Sequence, residues 1–205
     1  YKVIEIAKKK FNLTLRKLDK TRFNEEVLTF LDIYNKSLPG TWGFTPFSDA
    51  ELQHLAKGLK HLLIPELTCF AEVEGKVIGA CVALLDYNEI IREIDGKLFP
   101  FGYKLYTKRR GIKKMRLLSA NVLPEYQMWG LGVVLLSGLE KDYQAWGMEH
   151  IELSWVLESN HLSYASIKRG GGIVDKTYRI YDKKFGESDP NPAAPIAGNS
   201  DLVSR

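Results

Sequence analysis

Residues 115–146, MRLLSANVLPEYQMWGLGVVLLSGLEKDYQAW, decide how this chain folds. Leu117 to Leu123 is mostly apolar and stops at Pro124, the pattern of a buried strand. Pro124-Glu125-Tyr126 makes a short turn, and Gln127-Met128-Trp129-Gly130-Leu131-Gly132 follows it. The period then changes. Leu131, Leu135, Leu139 and Tyr143 recur every four residues and Trp146 closes the stripe, which predicts one amphipathic helix.

A strand that runs into a helix through glycines builds a place for an anion. The first N–H groups of a helix lack intrahelical partners, and the macrodipole adds partial positive charge there. Gly130 and Gly132 remove side chains where a phosphate or pyrophosphate would approach the backbone. Each exposed helix-end contact contributes only about 0.3–1 kcal/mol, so several converging N–H groups are required. A Walker loop would end in Gly-Lys-Ser/Thr, and Leu131-Gly132-Val133 does not. A dinucleotide loop needs a third glycine where Leu135 stands.

The remaining pattern, Q-x-x-G-x-G between a strand and a helix, resembles the acyl-CoA pyrophosphate loop of the GNAT superfamily of N-acyltransferases. The order that follows is similar to that family's: a strand from Ile151 to Leu157, an Asn-initiated helix from Asn160 to Arg169, glycines, and a last strand from Val174 to Lys183. The resemblance covers about Leu13 to Lys184. It implies an α/β fold, a mixed antiparallel and parallel sheet flanked by helices. It implies acetyl-CoA or another acyl-CoA as co-substrate, an amine acceptor, and no metal. Gln127, Met128, Trp129, Gly130, Leu131, Gly132 and Val133 would hold the pyrophosphate. Asn121, Val122 and Leu123 would line the thioester arm with backbone amides, and Asn160 would lie near it. The arm would enter where the strand at 151–157 splays from its parallel neighbour and would borrow unpaired amides, as a peptide adds to a sheet edge.

The acid and base depart from the family's pattern. Ile167 stands where many members carry an acidic tyrosine, and Trp155 where some carry a basic glutamate. Tyr164, one turn earlier on the same helix, and Glu158, the nearest carboxylate at the strand's end, are the candidates in their place. A second reading follows from the same departures: an acyl-CoA-binding or regulatory module with reduced chemistry.

The resemblance implies that the connection between the first two helices of the upstream half borders the acceptor pocket. Asn24 to Ser37 predicts a helix capped by Asn24, and Ser48 with Glu51 forms a capping box for a second, with Phe47 stapled onto Leu52. Between them, Trp42, Phe44 and Phe47 crowd one short loop and form a candidate acceptor wall. Glu74-Gly75 is a hairpin turn, and Gly79 in its second strand predicts a bulge or close packing. Residues 86–114 are an insertion. In it Phe99 and Phe101 are candidate cover for the acceptor site, and a basic run, Lys108-Arg109-Arg110 with Lys113-Lys114, closes it.

Composition bounds the rest. The 205 residues are 45% hydrophobic, enough for one core. They divide into an N-terminal extension at 1–12, the catalytic domain at 13–185 and a polar tail at 186–205. Net charge is +4 from 29 basic and 25 acidic residues, too mixed to imply nucleic acid. No apolar run reaches a membrane-spanning length, so neither nucleic acid nor membrane is an expected partner. The first residue is Tyr1, as in a processed chain or the later part of a longer one. If Glu74-Gly75 is the turn, Cys69 faces Ala80 and Cys81 points the other way, which disfavours a disulfide and suits a reducing cytoplasm. The four histidines are scattered, with no metal-ligand spacing. The late strands offer a sheet edge for a homodimer.

Overall fold

The computed structural model describes residues 2–181. Contacts divide the chain into two units, Tyr1–Gly171 and Gly172–Arg205. The first holds five strands, β1 (Leu13–Lys17), β2 (Thr68–Val73), β3 (Lys76–Leu85), β4 (Lys114–Val122) and β5 (His150–Leu153), in that order in one sheet. The first four are antiparallel neighbours, and β5 runs parallel to β4. The helices are α1 (Lys2–Phe11), α2 (Phe23–Ser37), α3 (Asp49–Leu59), α4 (Asn88–Glu93), α5 (Leu98–Phe101), α6 (Lys104–Thr107), α7 (Leu131–Ser137), α8 (Glu140–Ala145) and α9 (His161–Arg169). This is the mixed sheet flanked by helices that the pattern implied.

Strand alternation makes two cores. Phe70, Ala80 and Val82 face Val27, Phe30 and Leu31 of α2 and Leu52 and Ala56 of α3. Cys69, Ala71, Cys81 and Ala83 face the other way, onto Leu131, Val134 and Leu135 of α7. Leu131, Leu135 and Leu139 are wholly buried, each worth about 1.5–3 kcal/mol of transfer free energy. The stripe therefore buries as its period predicts, but the single helix does not form. It divides into α7 and α8 around Gly138, where a Cβ would lie 2.5 Å from the Cys69 sulfur.

Other expectations are corrected. Asn24 does not cap α2, which begins one residue earlier; Asp19 instead caps a 3₁₀ turn at Lys20–Arg22 through the Thr21 N–H. The Ser48–Glu51 capping box is present in full. The N-terminal extension at 1–12 carries a helix. Its helix α1 packs on α7, and Phe11 meets Tyr126 edge-on at 5.7 Å. Cys69 pairs directly with Cys81, because a bulge between Ala71 and Glu72 shifts the register by one. Both thiols are buried and free. β5 is shorter than the expected Ile151–Leu157, and Trp155 lies beyond its end and is exposed.

In the second unit, described residues 172–181 contain neither helix nor strand. Residues 182 and 183 of the expected closing strand, and the tail at 186–205, lie outside the described residues. Over the described part of that strand Val174, Tyr178, Ile180 and Tyr181 are exposed. Alternation marks a segment that can pair, but a strand exists only where a ladder receives it.

Candidate functional site

β4 and β5 pair only from Lys114 with His150 to Leu117 with Leu153. Beyond Leu117 the β4 edge is open on that side among the described residues, as expected of strands that splay. At the fork, Arg116 donates to Glu152 at 2.8 Å and to the Ser154 hydroxyl at 2.9 Å. This clasp was not legible in the sequence, since it depends on cross-strand register. On its other edge β4 carries a bulge between the pairs Val82–Ser119 and Ala83–Leu117.

The three residues expected to line an acyl arm differ in what they have free. The Leu123 N–H donates to the Ile78 carbonyl at 2.9 Å, so it is spent on β3. Asn121 pairs with Ala80 and is buried, its side-chain amide bonded to the Ser119 hydroxyl. Alternation turns the Val122 N–H and carbonyl to the open edge. The Val122 carbonyl there accepts from Gln127 Nε2 at 3.0 Å. The same nitrogen donates to the Ser37 carbonyl at 3.1 Å. Gln127 thus ties the end of β4 to the end of α2, leaving its amide nitrogen no part in the cradle itself.

The loop then turns as its glycines allow. Pro124–Trp129 is a 3₁₀ segment that includes Met128 and Trp129. Gly130 has φ +68°, left-handed backbone that favours glycine. Leu131 sends its side chain into the core, so it can offer only backbone. Val133 donates to the Gly130 carbonyl at 3.0 Å. A Cβ built on Gly132 meets no heavy atom within 4 Å. Among the described residues the helix start at Gly132 is therefore bare, with room for a phosphate; Val133 and Val134 donate to the Gly130 carbonyl, which leaves the Leu131 and Gly132 amides of the first turn beside it. A pyrophosphate fits this cradle.

At the same end of the sheet, Phe44 and Phe47 pack on Tyr34 with ring centroids 5.8 and 5.4 Å away. Asn35 clamps the Phe47 backbone, accepting from its N–H at 3.0 Å and donating to its carbonyl at 3.1 Å. These two aromatics hold the loop, and Trp42 is left 60% exposed. A cleft of about 300 Å³ lies nearby, with Asp32, Lys36, Lys76 and Glu125 among its walls. Asn160 caps α9 by accepting from the Ser163 N–H at 3.1 Å. Tyr164 and Glu158 are exposed on and before α9.

Phe99 and Phe101 are not brought to this place. Their insertion joins the end of β3 to the start of β4, at the opposite end of the strand from Val122. It is anchored there by Leu105 in the core and by Tyr106, whose hydroxyl meets His61 Nδ1 at 3.1 Å. Their place in the sequence already implies this, because they precede the first residue of the central strand and the glycine turn follows its last.

Among the described residues no group of histidine, cysteine and carboxylate side chains could hold a metal ion. No helix of the described residues is long and apolar enough to cross a membrane.

Known proteins agree with this arrangement. Residues 27–170 match the model of the acetyltransferase (GNAT) family. A bacterial ceramide synthase of Caulobacter vibrioides (strain NA1000 / CB15N) is 36% identical over 178 residues, covering 83% of this chain and 46% of that protein. Protein YghO of Escherichia coli (strain K12) is 30% identical over 191 residues, covering 90% and 48%. The chain spans about half the length of these curated relatives. Among solved structures, AAC(6')-Iy in complex with the bisubstrate analog CoA-S-monomethyl-acetylneamine superposes with a TM-score of 0.53. It covers 84% of this chain and 98% of that one at 16% identity, a likeness of fold. With a family match over most of the chain and the sheet that such a match demands, this chain belongs to the acetyltransferase (GNAT) family.

Proposed function

We propose that the chain is an acyl-CoA-dependent N-acyltransferase whose acceptor is a long-chain amine. The observation that carries the acyl-CoA half is the open β4 edge at Val122 running into the bare turn at Gly132. The first offers an N–H to a thioester carbonyl, and the second offers amides to a pyrophosphate. A ceramide is an amide between a fatty acid and a long-chain amino alcohol. The likeness to a bacterial ceramide synthase therefore supports a lipid-like amine over a sugar amine.

In this reading the acceptor nitrogen attacks the thioester carbon, the C–N bond forms, and the C–S bond breaks. The nitrogen's proton passes to Glu158 or to water, and the leaving thiolate takes one from Tyr164. Alignment of two bound reactants supplies much of the acceleration, on the order of 7–11 kcal/mol in the best cases. Trp42, exposed on the loop that Phe44 and Phe47 hold, is the remaining candidate for acceptor contact.

The test is calorimetric titration with acetyl-CoA and CoA, then thiol release with a long-chain amino alcohol, an aminoglycoside and a peptide amine. Gly132→Glu is the informative variant, because a side chain fits there without strain and brings negative charge to the cradle. Its affinity should fall at least about tenfold with an unchanged melting temperature. A wild type that binds neither nucleotide sinks the reading. Binding without thiol release from any amine favours the reduced module, to which Trp155 and Ile167 point.

A further inference from the structure

The insertion carries a surface that the acyl-transfer chemistry does not use. Leu98 is 65% exposed, Phe99 92%, Tyr103 60% and Tyr106 51%, all within one short run. From Lys97 to Lys114 the sequence has seven basic residues and no acidic one. Some of that charge is neutralised locally. Lys97 pairs with Asp95, Lys104 and Lys108 with Glu93, and Lys114 with Glu89. Arg109 and Lys113 are exposed and have no ion pair among the described residues. Beside them a cleft of about 220 Å³ has Arg109 and Arg110 in its wall, together with Lys20 paired to Glu66 at 3.8 Å.

We propose that this end of the sheet docks on an anionic lipid surface. Leu98 and Phe99 enter the boundary between headgroups and acyl chains, and Arg109, Lys113 and the cleft meet lipid phosphates. The chemistry selects this occupant. A protein interface buries aromatics but is depleted in lysine. A nucleic acid would use the charge, and a single strand could stack a base on Phe99, but either would leave the aliphatic Leu98 in water. An anionic bilayer uses both, since apolar residues partition into it and each nearby basic residue adds attraction. The earlier expectation of no membrane partner rested on the lack of a spanning segment, and peripheral docking needs none. This inference does not depend on the acceptor assignment, although a long-chain amine would be met at such a surface.

The experiment is sedimentation of the whole chain with vesicles of pure phosphatidylcholine and of phosphatidylcholine mixed with phosphatidylglycerol, without any acyl-CoA. Expected is binding to the mixed vesicles only, weakening as salt rises. Arg109→Gln with Lys113→Gln should weaken it about thirtyfold. Leu98→Ala with Phe99→Ala should weaken it with the melting temperature unchanged, since both side chains are largely in water already. Equal binding to both vesicle types, no binding, or full binding by either double variant overturns the proposal. So does heparin retention without vesicle binding, which would point to a polyanion instead. Failure here leaves the acetyl-CoA titration untouched, so the two readings fail separately.

Discussion

Arg16 sits among more opposite charge than its strand position suggests. Its guanidinium meets Glu26 at 2.7 Å and Glu72 at 2.6 Å, and lies over the Phe70 ring at 4.6 Å. Burial is the largest influence on it and works against its charge. Hydrogen bonds from the side chain to Glu26 and Glu72, with their charges, outweigh that and hold its pKa above the ordinary arginine value. Glu26 is 3% exposed, so removing Arg16 leaves a buried carboxylate with only Arg22 at 3.4 Å. Arg16→Ala should cost about 2–3 kcal/mol in urea unfolding, below the range for fully buried pairs because Arg16 is partly exposed. Arg16→Lys should recover part of it, since a lysine cannot span both carboxylates. Tyr164 poses the opposite case: an exposed residue whose worth is chemical or nil. Tyr164→Phe is expected to lower turnover with little change in CoA affinity. Unaltered turnover would remove it from the mechanism.

At the scale of elements, one exposed carboxylate ties two helices of the insertion together. Glu93, at the end of α4, binds Lys108 and also Lys104 at 3.0 Å, joining α4 to α6. Lys108 first and Lys104 second hold the Glu93 carboxyl below the usual carboxylate range. The folded value lies below the unfolded one, so this contribution is complete above the ordinary glutamate range. It is lost as pH falls through the lowered folded value. Amide exchange over residues 97–108, corrected for intrinsic rates, should quicken across that acid window, and Glu93→Gln should produce the change at neutral pH. Elements with local causes were legible in advance. The capping box of α3 and the stripe from Leu131 to Trp146 follow from neighbours three or four positions apart. What failed was set at a distance. Gly138 breaks the α7–α8 stripe where it closes on Cys69, and the Cys69–Cys81 pairing follows from a bulge three residues away from it. The arginines of the site show the same limit: Arg116 and Glu152 meet only because β5 runs parallel to β4 in one register.

For the first unit as a whole, the orientation of β4 separates two surfaces. The glycine cradle follows its last residue, Val122, and the insertion precedes its first, Lys114. Eight strand rises of about 3.3 Å put roughly 26 Å between them. The aromatic loop after α2 shares the cradle's end, as the Gln127 bond to the Ser37 carbonyl requires. His61, just past α3, shares the insertion's end through its bond with Tyr106. The sheet between is packed on both faces, a close-packed layer that resists continuous deformation. Binding free energies at two sites are coupled only where some element changes state between them, and any coupling is reciprocal. Saturation with acetyl-CoA should therefore leave partition onto phosphatidylglycerol-containing vesicles unchanged, and those vesicles should leave acetyl-CoA affinity unchanged. Vesicle sedimentation with and without the nucleotide measures the first, and calorimetry with and without vesicles the second. A change of equal size in both would mean that β4 transmits a shift along its length. A change in one alone cannot come from coupling within the protein, because linkage is reciprocal, and would indicate that acetyl-CoA interacts with the vesicles directly.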